Sequence, residues 1–271
     1  MCRDGMPQVL STQKALKETN VPYPLLIAVP NTIDSGGIDI YQLPSQTRAA
    51  QIYADRTITT GMVMALSILA DSTRIQVAAG YESGHTMVFV QCDPAASFQK
   101  LYSSQPHKQP ILSMSISPTK DYYLTSSADA IVAKHPFPSG KSIWNTELKP
   151  VKVSQTKHSG QQGLIYRSDG KVFATAGWDA HVRVYSGKTM KELAVLKWHK
   201  VGCYATAFAT VEPAATTEAP TPEDENETSA AISQQSSTVT SVQQRRDDKA
   251  RSTHWLAAGA KDGKVSLWDI Y

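Results

Sequence analysis

The stretch Leu256-Ala-Ala-Gly-Ala-Lys-Asp-Gly-Lys-Val-Ser-Leu-Trp-Asp269 decides the fold of this chain. A short apolar run leads into Lys-Asp-Gly, a tight-turn sequence, and polar and apolar residues then alternate up to Trp268. Gly263 lies between the two runs, where a hairpin turn needs a residue that tolerates positive φ. The stretch therefore predicts two paired strands with Asp262 in the turn, six residues before the closing Trp268.

Four earlier stretches resemble the second of these strands. They lie at 37–41, 85–89, 131–135 and 181–185, and all close on an aromatic residue except the third, which closes on His135. The first three gaps between closing residues are about 48, 46 and 50 residues. Their alternation predicts half-buried strands. Further strands precede each turn, at 77–80, 123–126, 172–175 and 255–258, and more lie upstream, at 62–68, 111–116, 163–166 and 204–208. Several short strands in a recurring unit, with no long helical pattern between them, predict an all-β fold made of β-propeller blades.

The last gap, about 83 residues, contains a segment of different composition. Residues 211–251 are rich in Ala, Thr, Ser, Glu, Gln and Pro, begin with an acidic run and end with a basic one. Such a segment buries too little apolar surface to offset its ordering entropy. We predict a single domain over 1–271 with a disordered insertion at 211–251 in the last blade. Arg245 and Arg246 are either a solvated loop, which we favour, or a localisation or docking signal. A short helix is expected over Thr12–Glu18.

Charge and cysteine content exclude several classes. The formal net charge of +3 is too small to predict nucleic-acid binding. Three scattered cysteines without C-x-x-C spacing support neither a zinc site nor a disulfide framework, and they favour a reducing compartment. The sequence shows neither an apolar signal segment nor a run long enough to span a bilayer. We expect an intracellular protein without membrane or direct nucleic-acid partners.

Histidine and aspartate recur at matched spacing. Each histidine precedes its aspartate by about 21–23 residues, once the insertion is removed from the third pair, and each aspartate precedes the closing residue by six. A buried turn carboxylate needs hydrogen-bond donors, and an imidazole supplies one. We therefore predict three structural His–Asp pairs: His107 with Asp129, His158 with Asp179, and His199 with Asp262.

Catalytic and ligand-binding interpretations of these residues are weaker. A hydroxyl near each pair, Thr125 or Thr175, resembles a Ser-His-Asp triad, but a triad occurs once and this pattern repeats. His199 and Cys203 lack further metal ligands, and Lys261 with its flanking glycines lacks the phosphate-loop pattern. We predict no catalytic residues, no metal and no cofactor.

Two aromatic residues are candidates for binding a partner. Tyr81 and Trp178 each fall in the turn between the second and third strands of a repeat. Exposed turn aromatics have no core to fill and often anchor interfaces. The alternative is that they lie flat against the neighbouring blade.

The repeats resemble the WD repeat, most closely at Leu256–Asp269 and Phe173–Tyr185. Within that superfamily the chain is similar to the fungal ASTRA-associated WD-repeat proteins and to their animal relatives, the G-protein-β-subunit-like proteins. The motifs that carry this similarity are Thr60–Ala65, Ala78–Glu82, Ala174–Asp179 and Met190–Leu196.

The resemblance implies a nuclear, non-enzymatic scaffold within the ASTRA assembly, which is linked to chromatin remodelling and to maturation of phosphatidylinositol-3-kinase-like kinases. It also implies other protein subunits as partners and a seven-bladed WD-repeat β-propeller. This chain holds about five blades, so we expect an incomplete propeller with about two N-terminal blades missing. Two other functions remain open: a G-protein-β-like signalling adaptor, which would favour an N-terminal coiled coil, and a propeller enzyme, which would need a catalytic cluster at non-repeating positions.

Overall fold

A computed structural model describes residues 25–70, 74–91, 97–137, 149–211 and 242–270. These residues form five antiparallel sheets, each built from strands that are consecutive in the chain and pair with their neighbours in chain order. The sheets are numbered 1 to 5 along the chain. Their strands are β1 (Leu25–Pro30), β2 (Ile38–Leu43) and β3 (Thr47–Ile52); β4 (Val63–Ala70), β5 (Ile75–Tyr81), β6 (Thr86–Gln91) and β7 (Gln99–Ser104); β8 (Ile111–Ile116), β9 (Tyr122–Ser127), β10 (Ile131–Pro136) and β11 (Lys152–Gln155); β12 (Gln161–Tyr166), β13 (Val172–Gly177), β14 (Val182–Ser186) and β15 (Glu192–Leu196); and β16 (Cys203–Phe208), β17 (Trp255–Ala260) and β18 (Val265–Asp269).

The sheets pack face to face in chain order, with one edge of each turned inward. The first strands of sheets 2 to 5 (β4, β8, β12 and β16) contact one another in succession and form the inner row. The second strands β9 and β13 contact the inner strand of the following sheet, β12 and β16 respectively. In the same way β1 contacts β4, so β1 corresponds to a second strand, and sheet 1 consists of a second, a third and a fourth strand. Separate radial sheets of this kind are propeller blades, as the repeat predicts.

The core lies between neighbouring blades. On β5, Val77 and Ala79 pack in a cluster with Ile38 and Ile40 of blade 1. The intervening Ala78 packs on the other side, with Tyr123 of blade 3. Side chains of a strand alternate between faces, so a strand between two blades buries both sets.

This arrangement corrects one expectation. The third strands of blades 2 to 4 (β6, β10 and β14) are predicted to be half-buried, but almost every residue in them is buried. Their polar residues, including Thr86, Lys134 and Arg183, are therefore buried as well. The alternation in sequence reflects polar groups that are satisfied internally and not a solvent-facing side.

The insertion departs from the prediction in its last part. A helix, α1 (Val242–Ser252), leads into β17, so the expected disordered loop is wrong for this stretch. The indole N–H of Trp255 donates to the carbonyl of Ala250 at 3.1 Å and fixes the end of α1 against the blade. Arg245 and Arg246 belong to α1. Residues 212–241 and the predicted helix Thr12–Glu18 lie outside the described residues. Among the helices that are described, none has the length and apolar character to cross a membrane.

Candidate protein interaction face

One end of the blades carries all the turns that contain the predicted site residues. Each turn between a second and a third strand contacts the segment that leads into an inner strand, as when Trp178 N donates to Gly160 O at 3.0 Å. Contacts also join consecutive blades: Val63 N donates to Ser35 O at 2.9 Å, and Gln105 Nε2 donates to Ser83 O at 2.9 Å. We call this end the turn face.

The predicted pair in blade 3 forms. His107 Nδ1 lies 3.1 Å from Asp129 Oδ1; His107 is buried and Asp129 is partly buried. The pair extends into a chain of hydrogen bonds: His107 Nε2 to Thr125 Oγ1 at 2.8 Å, Thr125 Oγ1 to His135 Nε2 at 3.0 Å, and His135 Nδ1 to Tyr102 OH at 2.9 Å.

The chemistry of these groups constrains the direction of the bonds in the chain. A carboxylate only accepts, so His107 Nδ1 donates to Asp129. The Thr125 hydroxyl donates to one of the two imidazoles and accepts from the other, and of the two nitrogens of neutral His135 one donates and the other accepts. Burial of His135, with a smaller contribution from His107, lowers its pKa to about 3, which keeps the ring neutral as the chain requires.

Asp129 is held ionised by its donors. Burial acts to raise its pKa, but the hydrogen bond from His107 and the backbone N–H groups of Lys108 and Ile131 bring the pKa below its ordinary value. The pair thus ties the turn after β9 to the segment that enters β8.

The predicted pair in blade 4 is replaced by another donor. His158 Nδ1 remains 3.7 Å from Asp179 Oδ2, whereas the Arg183 guanidinium binds the same carboxylate through two nitrogens at 3.1 and 2.5 Å. Burial acts to raise the pKa of Asp179, and Arg183 brings it below its ordinary range. The prediction of a His158–Asp179 hydrogen bond is therefore wrong, because a two-nitrogen guanidinium outcompetes the half-exposed ring.

The predicted pair in blade 5 is also wrong in its partner. His199 Nε2 lies 2.8 Å from Ser266 Oγ, while Asp262 contacts Lys264 at 3.2 Å. Trp268 Nε1 donates to the same Ser266 Oγ at 2.8 Å, so Ser266 donates its own proton to His199. Trp268 thus takes part in the blade's polar contacts, but through Ser266.

The residues four positions before and after each aspartate decide these partners. They face each other across the hairpin as Thr125 with Ala133, Thr175 with Arg183, and Ala258 with Ser266. In blade 3 the earlier residue is Thr125, whose hydroxyl binds His107. In blade 4 the later residue is Arg183, which binds the carboxylate, and in blade 5 the later residue is Ser266, which binds the histidine. This signal is present in the sequence, but the spacing of histidine and aspartate alone does not include it.

The two aromatic candidates, Tyr81 in blade 2 and Trp178 in blade 4, lie one position apart at the end of the second strand and point to opposite sides of it. Tyr81 is 2% exposed and packs in the cluster between blades 1 and 2, so the alternative that it lies against the neighbouring blade is confirmed and its interpretation as a partner-binding residue is wrong. Trp178 is 47% exposed, as expected. The equivalent hydrogen bonds Tyr81 N to His85 O and Gly177 N to His181 O show that Tyr81 corresponds to Gly177. Trp178 is one residue further along and therefore faces the other way. Its role in binding a partner stays a prediction.

Each inner strand begins with a β-bulge that the sequence analysis did not predict. The register with the second strand shifts by one residue at the same place in blades 2 to 5. The residue without a cross-strand partner is re-aimed at the turn face, as bulges near functional surfaces often do. We call these residues the bulge row: Met64, Leu112, Gln162 and Tyr204. Met64 and Tyr204 are 41% and 43% exposed, and Gln162 Oε1 accepts from the indole N–H of Trp178 at 3.1 Å.

The described residues that could suggest catalysis or metal binding are buried or lie apart from one another. Thr125 and His107 are 0% and 1% exposed, so the arrangement that resembles a triad lies inside the blade, out of reach of a substrate. Within the described ranges, three or more metal-ligating side chains do not come together. Cys203 is buried, and burial raises its pKa to about 11, while Cys2 and Cys92 lie outside the described residues.

Comparison with known proteins agrees with this architecture. The WD domain, G-beta repeat family matches residues 149–186 and 228–269, which lie in blades 3 to 5 and the insertion. A chain of the crystal structure of the mitotic checkpoint complex superposes with a TM-score of 0.60 at 14% identity, covering 90% of this chain and 57% of that chain. The fold is that of a WD-repeat β-propeller.

Sequence similarity gives the family. ASTRA-associated protein 1 of Penicillium rubens is 45% identical over 299 residues, covering 99% of this chain and 67% of its own length. ASTRA-associated protein 1 of Aspergillus niger is 47% identical, covering 95% of this chain and 64% of its own. The chain belongs to the ASTRA-associated protein 1 family, and it spans about two thirds of the length of these relatives. A mouse guanine nucleotide-binding protein subunit beta-like protein 1 is 25% identical over 91% of the chain.

Proposed function

We propose that this protein is a non-catalytic scaffold subunit of the ASTRA assembly, acting in the nucleus. The observation that carries the proposal is the 45–47% identity to two proteins named for that association, over nearly the whole chain. A propeller supports such a role because its rigid ring presents loops for binding and requires no reactive group.

The burial of the polar groups supports a structural role for them. The His107, Thr125 and His135 side chains are consumed by bonds within blade 3, and each is almost inaccessible to solvent. Groups arranged in this way stabilise a blade and leave binding to the exposed turn face. We extend the proposal to the processes that the family resemblance implies, namely chromatin remodelling and assembly of phosphatidylinositol-3-kinase-like kinases.

Affinity purification followed by mass spectrometry tests the proposal. The protein, tagged at its native locus, is expected to recover ASTRA subunits and kinase-assembly factors, and its fluorescent fusion is expected in the nucleus. A Tyr123→Asp variant, which places a charge at a fully buried position, is the control for binding that depends on the folded propeller. Recovery of none of these subunits by the wild-type protein would overturn the proposal. Recovery of a G-protein α subunit instead would favour a G-protein-β-like adaptor.

A further inference from the structure

The turn face of blades 4 and 5 combines exposed aromatic side chains with lysines. Trp178, Trp198 and Tyr204 are 47%, 51% and 43% exposed. Four exposed lysines lie in the same turns and entry segments, and they have no ion-pair partner among the described residues. We call these seven residues the aromatic–lysine patch: Trp178, Trp198, Tyr204, Lys157, Lys197, Lys200 and Lys261.

Backbone contacts hold the patch together. Gly202 is central, because a side chain on it would meet the backbone of Trp178 at 3.1–3.2 Å and its carbonyl accepts from Lys261 N at 2.9 Å. Gly202 follows Trp198 and Lys200 and precedes Tyr204 in the same segment. The Trp178 ring lies over Gly160, three residues after Lys157, at a distance that leaves no room for a Cβ. The indole is therefore held in place before any partner binds.

The charges in this region do not cancel. The acidic residues of the two turns are already neutralised, Asp179 by Arg183 and Asp262 by Lys264. Among the residues that the structure describes, the four patch lysines therefore present a positive charge without a counter-ion around three aromatic rings. Fixed aromatics with small conformational entropy to lose supply contact energy, and surrounding charges supply orientation and association rate.

The bulge row extends the patch with apolar surface. Met64 in blade 2 is exposed, and Met62 beside it is 49% exposed on the same face. Aromatic rings among lysines also suit single-stranded nucleic acid, whose bases stack on such rings, but the exposed methionines offer aliphatic packing that a peptide side chain uses and a base does not. We therefore take a peptide as the occupant, and an oligonucleotide is the competing outcome of the test.

We propose that the aromatic–lysine patch binds an acidic segment of a partner protein that carries a central apolar anchor, with the anchor on Trp178, Trp198 and Tyr204 and the acidic residues on the lysines. This proposal rests on the scaffold function proposed above and names the kind of partner it takes. The scaffold function requires an external partner, so the proposal commits to a partner segment. The chain's own acidic run, Glu218–Glu227, in the long connection between β16 and β17, is the competing occupant that the test below distinguishes.

Fluorescence anisotropy with the purified full chain tests the proposal. The probes are a labelled peptide of glutamates and aspartates with two central leucines, the same peptide with lysines in place of the acids, and a labelled oligo-dT strand. The acidic peptide is expected to bind, more weakly at higher salt, and the basic peptide is not. The Lys157→Glu/Lys261→Glu variant is expected to weaken binding by about tenfold or more, as loss and reversal of complementary charges do.

Matched variants separate the patch from general charge attraction. Lys171→Glu/Lys188→Glu reverses two exposed lysines on the opposite end of blade 4, where Gly187 N donates to Lys171 O at 2.7 Å, and is expected to leave affinity unchanged. Trp198→Ala is expected to weaken binding, and Leu193→Ala, which shortens an exposed side chain on β15, is not. All variants change exposed residues, and circular dichroism verifies that each is folded.

Several results would overturn the proposal: equal affinity in wild type and Lys157→Glu/Lys261→Glu, equal weakening by the opposite-end control, or tighter binding of oligo-dT than of the acidic peptide. Tighter peptide binding after neutralisation of Glu218–Glu227 would assign the patch to the chain's own segment and would also overturn it. Affinity purification with the same lysine variant distinguishes the two proposals. If both wild type and variant recover ASTRA subunits, the scaffold function stands and the patch is wrong; if wild type recovers none, the scaffold function fails.

Discussion

Replacement of Thr125 by valine tests the hydrogen-bond chain of blade 3. The change keeps the shape of the side chain and removes the hydroxyl that joins His107 Nε2 at 2.8 Å to His135 Nε2 at 3.0 Å. His107 and His135 each then lose the hydrogen-bond partner of Nε2, and all three positions are at most 1% exposed, so water does not replace the lost bonds.

The expected cost follows from these two orphaned groups. A buried polar group left without its partner costs about 1–3 kcal/mol, and the added methyl group returns about 1 kcal/mol through apolar burial. Thr125→Val is therefore expected to lower the free energy of unfolding by about 1–5 kcal/mol, a substantial part of the roughly 5–15 kcal/mol typical of a folded protein. Urea titration followed by circular dichroism measures the change.

Thr175→Val is the matched control. Thr175 occupies the same position in blade 4, four residues before Asp179, and is 1% exposed, but its hydroxyl makes only a weak contact, with the Tyr185 hydroxyl, and no hydrogen bond of ordinary geometry in the described part of the chain. Its removal is expected to leave stability unchanged or to raise it by up to about 1 kcal/mol. If Thr125→Val costs no more than Thr175→Val, the account of a hydrogen-bond chain through Thr125 is refuted.

Three further predictions concern pH, a glycine and the serine of blade 5. The free energy of unfolding is expected to fall as the pH decreases from about 6.5 to about 3, because unfolded His135 binds a proton at its ordinary pKa of 6.5 and folded His135 only near 3. The melting temperature of His135→Phe should depend less on pH in this window. An equal pH dependence in wild type and variant would contradict the low pKa of folded His135. Gly160→Ala should destabilise by about 1–3 kcal/mol, since φ is +72° and the new Cβ would overlap the Trp178 ring; unchanged tryptophan fluorescence and melting would contradict this. Ser266→Ala should lower the free energy of unfolding by about 1–3 kcal/mol, because His199 and Trp268 both lose their hydrogen-bond partner. Asp262→Asn should leave the urea midpoint unchanged. A larger loss of stability from Asp262→Asn than from Ser266→Ala would support the His199–Asp262 pair instead.

The blades could be predicted from the sequence because their signal is local. A turn residue and an aromatic six positions later define a hairpin, and hairpins at a fixed interval define the repeat, so strands such as β10 and β14 fall within a residue or two of their predicted bounds. The His107–Asp129 bond was predictable for the same reason, since each partner lies at a fixed place in the repeat.

The other pairs depend on competition that spacing does not express. Whether a histidine reaches its aspartate depends on whether a stronger donor, such as Arg183, or a nearer acceptor, such as Ser266, faces the same space. Burial is equally non-local: Tyr81 is covered because blade 1 packs against that side of β5. The end of the insertion escaped prediction because composition reports little about a helix whose end is fixed by one bond to Trp255.

The bulge row has a consequence for how this propeller can diversify. Its four residues are the ones excluded from the ladder between first and second strands, so a change of side chain there leaves the backbone pairing of the blade intact. Methionine, leucine, glutamine and tyrosine occupy these equivalent places in a single chain. Substitutions at these positions can therefore change what the turn face binds, one blade at a time, while the fold stays the same.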